Sequence, residues 1–179
     1  FPSIDSVMVG AIFGRPDQAP PEGLPVVILV HDFSRDYLQD WFQIGTLSFE
    51  DLLLEQEYIV LAINLRGHGN TPLPDNRQSY QLEDLENSYL DVQAALTWLR
   101  RRPEVDISRV AVVGTGFGGN VAYMSMGSFP QQIKTAVVLS PGFWDVGDNN
   151  KSIAVGEGLT PFKPHSTLFV VGERNLIPT

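Results

Sequence analysis

The chain contains no cysteine. That excludes disulfides, thiolate catalysis and cysteine-based metal sites. It leaves the compartment open, for a soluble protein that is either cytoplasmic or exported. Positive charge is scarce: 12 Lys and Arg stand against 21 Asp and Glu, for a net charge of −9. Nucleic acids and anionic membranes need basic surface, so neither is an expected partner. No apolar run approaches the length that spans a bilayer, so no integral membrane segment is expected. There are only three histidines, and no HExxH or paired His/carboxylate spacing points to a metal. No cofactor of any kind is expected.

What is present is an ordinary globular composition, 43% hydrophobic and 18% charged over 179 residues. That length supports a single domain, 1–179, with a substantial core. Apolar stretches recur along it. Val7 to Phe13 reads as an early strand. Pro25 to His31 and Tyr58 to Asn64 are continuous β-branched runs, as expected of strands buried on both faces. Val110 to Val113, Thr135 to Leu139 and Thr167 to Gly172 read the same way. Trp41 to Gln56 and Gly118 to Phe129 read as helices. Leu82, Leu85, Tyr89, Val92, Ala95, Leu96 and Leu99 recur at helical spacing and predict one long amphipathic helix. Its charged residues, Glu83, Asp84, Glu86 and Asp91 early and Arg100 to Arg102 late, are expected on a solvated outer face. Strands alternating with helices predict an α/β fold: a mostly parallel sheet with helices on both faces. Ligands of such sheets sit at the carboxyl ends of the strands.

The strand ends carry the motifs. His31-Asp32-Phe33-Ser34 follows the first buried strand. Asn64-Leu65-Arg66-Gly67-His68-Gly69 follows the second. Val110-Ala111-Val112-Val113 runs into Gly114-Thr115-Gly116-Phe117-Gly118, a strand, sharp turn and helix with the shape of a Gly-x-Ser-x-Gly nucleophile elbow. Gly172-Glu173-Arg174-Asn175 follows the last strand.

In this order, the Leu-Arg-Gly-His-Gly loop, the elbow with its Asp106-Ile107-Ser108-Arg109-Val110 lead-in and the final Val-Gly-Glu-Arg strand resemble the α/β-hydrolase superfamily, of the esterase, lipase and acyl-peptidase kind. The resemblance covers nearly the whole chain. It implies the α/β-hydrolase fold, with the C-terminal strand and helix apparently missing. The motifs before and after Gly114 to Gly119 argue against reading that turn as a dinucleotide-binding loop. Members of this superfamily generally hydrolyse esters or amides with a Ser-acid-His triad.

Carried over residue by residue, the resemblance places Gly116 at the nucleophile position and Asn175 at the acid position. No intact catalytic set remains. Asp145, one strand earlier, is the alternative acid. Thr115 is next to the crest of the elbow, but its side chain is expected to point away. The superfamily histidine is expected beyond residue 179. His31 and His68 read as structural, and His165 lies at the wrong end of the sheet. The backbone N–H groups of Phe33 and Phe117 are the expected oxyanion donors. Asp32 stands where the superfamily has glycine, and its carboxylate either opposes negative charge there or points to solvent. Phe143 and Trp144 either overhang the pocket or pack into the core.

Two functions follow from this. One is a catalytically silent family member that binds a small apolar or ester-like ligand, or a protein partner. The other is a serine-type hydrolase of carboxylic esters or amides whose nucleophile was replaced and whose histidine lies beyond residue 179. An open sheet edge also allows a homodimer.

Overall fold

The two β-branched runs lie side by side at the centre of a six-stranded sheet. The computed structural model describes residues 1–33, 35–36, 40–42, 48–142 and 166–172, and the backbone alone of 144–145 and 152–153. Strand β1 is Ala11–Gly14, β2 Leu24–Val30, β3 Ile59–Ile63, β4 Val105–Thr115, β5 Thr135–Leu139 and β8 Thr167–Val170. Two short strands, β6 (Trp144–Asp145) and β7 (Ser152–Ile153), pair with each other. The large sheet runs β1-β3-β2-β4-β5-β8. All its pairings are parallel except β1 on β3.

Side-chain alternation divides the core. Val26, Ile28 and Val30 of β2 join one apolar cluster, and Val27 and Leu29 join the other. The first cluster is closed by helices α3 (Tyr89–Leu99) and α4 (Phe117–Ser128). The second is closed by Trp41 and by α1 (Phe49–Glu55). Every residue of β3 is buried, which is why this strand and β2 read as unbroken apolar runs. From β2 the chain crosses to β3 on one side, whereas β4 pairs on the other. The ends of β2 and β4 therefore flank the point where ligands enter folds of this kind. Among the described residues, no helix is long and apolar enough to cross a membrane.

Four expectations need correction. The single long helix is two, α2 (Leu82–Glu86) and α3. They part at Asn87 and Ser88, where the Ser88 hydroxyl donates to the Asp84 carbonyl at 2.9 Å. A hydroxyl that competes for a helix carbonyl favours such an interruption. Asp84 and Asp91 are not on a solvated face either, because both are buried. Asp84 accepts from both terminal nitrogens of Arg77, at 3.0 and 2.7 Å, and from the Gln81 N–H at 2.7 Å. The third correction is one of length: β4 extends to 11 residues, with a register shift between Leu24 and Val26 of its neighbour. The early strand starts at Ala11 rather than Val7, although Val7 and Val9 are buried. Of the helix expected over 41–56, residues 43–47 lie outside the described residues.

Asp91 is fully buried against an equally buried Arg66. Arg66 donates to it from Nη2 at 2.8 Å, from Nε at 3.2 Å and from its backbone N–H at 2.8 Å. The remaining face of the guanidinium reaches Asp5 at 2.7 Å. One cation thus ties the N-terminal segment, the loop after β3 and helix α3 together. Removing one partner of such a pair strands a buried charge. Asp91→Ala should therefore cost about 3–5 kcal/mol in urea denaturation. A loss as small as that of an exposed pair would refute this role.

Candidate active site at the strand ends

The elbow is built by close backbone approach. At the end of β4 the chain turns through Gly116, with φ 53° and ψ −120°, and enters α4 at Phe117. Residues with a Cβ rarely adopt such a φ, and glycine does so without penalty. The Gly116 N–H donates to the Leu139 carbonyl at 2.8 Å, which seats the turn beside β5. A Cβ on Gly118 would collide with the carbonyl oxygens of Val30 and His31, and one on Gly114 would strike Gly118. Bare glycines there let the first turn of α4 lie directly on the end of β2.

That approach brings Asp32 to the crest. Its Oδ1 accepts from the Phe117 N–H at 2.7 Å and from its neighbour Phe33's N–H, also at 2.7 Å. These are the two donors expected to hold an oxyanion. They converge on one point, and the carboxylate of Asp32 fills it. A carboxylate at a helix N-terminus is favoured by the unpaired N–H groups and the helix dipole. The Asp32 side chain is thus turned toward the elbow. Room for it comes from Gly116: a Cβ there would overlap the Asp32 carboxylate. The backbone of Asp32 is held as well, since its N–H donates to Asp40 at 2.6 Å. Asp40 pairs with Arg35 at 3.2 Å, and burial pushes its carboxyl above the usual range.

His31 and His68 are wedged behind this crest. His31 Nδ1 lies 2.7 Å from the Asp32 carbonyl, and the Leu65 N–H donates to His31 Nε2 at 3.0 Å. These contacts require a neutral ring with its proton on Nδ1. Burial lowers its pKa from 6.5 to about 4. His68 is buried too, which also lowers its pKa, and its Nδ1 lies 3.1 Å from the Arg66 carbonyl and 3.0 Å from the Tyr80 hydroxyl. The ring of Phe33 packs on His68, Tyr80 and Phe117 at centroid distances of 5.1, 5.2 and 5.8 Å. An aromatic wall thus stands beside Asp32.

The other candidates divide as follows. Thr115 is the last residue of β4, in register with Leu139. Trp144 and Asp145 lie in β6, where only the backbone is described. Asn175, Phe143 and His165 lie outside the described residues. One contact escaped the sequence reading. Asn120 donates to the Gly142 carbonyl at 2.6 Å and accepts from the Gly142 N–H at 3.1 Å. It fastens the first turn of α4 to the loop after β5. A buried polar residue one turn past the elbow was the signal available.

Sheet order, elbow and converging amides define an α/β-hydrolase-type domain. A match to the alpha/beta hydrolase family spans residues 27–177, and the chain belongs to that family. Human epoxide hydrolase 4 is 25% identical over 118 residues, which is 66% of this chain and 28% of that protein. Acetyl xylan esterase from Paenibacillus sp. R4 superposes with a TM-score of 0.62 at 24% identity, covering 78% of this chain and 46% of that one. The Pyrococcus furiosus esterase Pf2001 does so with a TM-score of 0.60 at 23% identity, covering 78% and 49%. At these identities the structural likeness speaks for the fold alone. The chain spans less than a third of the epoxide hydrolase and about half of each esterase.

The neutral His31 has a consequence for stability. Its folded pKa, about 4, lies below the 6.5 of an unperturbed histidine. As pH falls through that window the unfolded chain takes up the proton first. Stability should therefore be fully present above pH 6.5 and drop by roughly 3 kcal/mol by pH 4 from this residue. Denaturant titrations across the window, on the parent and on His31→Gln, measure it. An unchanged pH slope in the variant would contradict the assignment.

Proposed function

We propose that this protein is a catalytically silent member of its family, a single domain that binds a ligand or a protein partner. The observation that carries this reading is the pair formed by Gly116 and Asp32. Acyl transfer in this family's manner needs a nucleophile on the elbow and free donors for the oxyanion. Gly116 has no side chain to attack with. The N–H groups of Phe33 and Phe117 already serve the Asp32 carboxylate. His31 and His68, the histidines behind the crest, make the backbone contacts described above and are kept neutral by burial. The two losses support each other, since the space that Gly116 leaves is the space that Asp32 occupies.

The second reading is a working hydrolase of carboxylic esters or amides with its nucleophile replaced and its histidine beyond residue 179. The retained glycines of the elbow favour it, because they keep the turn that would present a serine. Both readings meet in one assay. The purified protein should hydrolyse p-nitrophenyl acetate and butyrate, and styrene oxide, no faster than buffer. Turnover that disappears when a residue of this chain is changed would overturn the silent reading. The double variant Gly116→Ser/Asp32→Gly, in a chain that continues past residue 179, separates the two. Restored esterase activity would favour the second reading, and a folded but inert double variant the first.

A further inference from the structure

A carboxylate fixed on the two amides at the strand end reverses the charge preference of that point. We infer that Asp32 is a permanent internal occupant of the two-amide cradle, and that the site above Gly116 receives a cationic, donor-headed ligand: a primary ammonium on an apolar body. The inference deepens the non-catalytic reading and rests on it.

Three features carry it. First, the anion-binding capacity of the cradle is already used, because both amides donate to Asp32 Oδ1. A second anion brought close to this carboxylate would be repelled by it. Carboxylates and phosphates are therefore disfavoured, and a cation is favoured.

Second, the carboxylate keeps acceptor capacity. Two ionised oxygens offer about four lone-pair sites, and the amides take two of them. The carboxylate lies in the volume that a Cβ on Gly116 would fill, and both amides end on Oδ1, which leaves Oδ2 to accept from a ligand there. Among the described residues Asp32 forms no ion pair. Arg35, three residues along the chain, is engaged by Asp40 instead.

Third, the walls suit such a ligand. Phe33 stands next to Asp32 and is partly exposed, as is Tyr80, against which its ring is tilted. Aromatic faces attract ammonium groups and also bury an apolar body. The net charge of −9 adds a long-range field of the same sign.

The test uses benzylammonium and benzoate as matched probes, titrated by calorimetry or NMR at pH 7 and low salt. The parent protein should bind benzylammonium in the millimolar range expected of so small a probe, and benzoate at least roughly tenfold more weakly. Asp32→Asn keeps an acceptor for both amides and removes the charge. It should weaken benzylammonium by about tenfold without admitting benzoate. Asp32→Gly empties the cradle and should reverse the preference. Circular dichroism and thermal melts check that each variant is folded, and the conservative Asp32→Asn keeps the test decisive if Asp32→Gly fails to fold. Failure of the parent to bind benzylammonium, a parent preference for benzoate, or unchanged benzylammonium binding by Asp32→Asn would each overturn the inference. Ester turnover by the parent would instead sink the silent reading, so the two failures are distinguishable.

Discussion

One carboxylate oxygen joins the end of the central strand to the start of the helix beside it. Asp32 Oδ1 takes the N–H of Phe117, the first residue of α4, and the N–H of Phe33, at 2.7 Å each. The arrangement satisfies two backbone donors at the place where a helix has none of its own partners to offer. Both donors are occupied by this carboxylate, and Gly116 is the residue that makes the occupation sterically feasible.

The rest of the fold holds this contact in place. Parallel pairing of β2 with β4, with Val30 opposite Gly114, aligns the two strand ends. Gly118 lets α4 come down onto the carbonyls of Val30 and His31. His31 braces the end of β2 against Leu65. The loop that contains Leu65 is in turn fixed from beneath by Arg66, buried between Asp91 and Asp5. Asn120 secures the opposite side through Gly142. Each tie is a buried polar group with its partners in place, the condition under which such groups stabilise a unique arrangement.

The β-branched runs, the glycines of the elbow and the helix period made the architecture readable from the chain. These signals are local, and burial on both sheet faces leaves a continuous apolar imprint. What was not readable depended on pairings that helix and strand periodicity do not encode. Asp84 and Asp91 look like surface residues of an amphipathic helix until Arg77 and Arg66 are brought against them. Asp32 could face either way, because side-chain direction at a strand end is set by the neighbour 85 residues on. The space beside Gly116 and the side chain of Asp32 are complementary in volume, and only three-dimensional proximity makes that complementarity visible.

The most direct test is amide NMR of Phe33 and Phe117 in the parent protein and in Asp32→Asn and Asp32→Gly. If one carboxylate oxygen holds both amides, both signals lie downfield and exchange slowly in the parent. Both should then move together in Asp32→Asn, and lose their protection in Asp32→Gly. A Phe117 amide that is indifferent to either substitution would contradict the account.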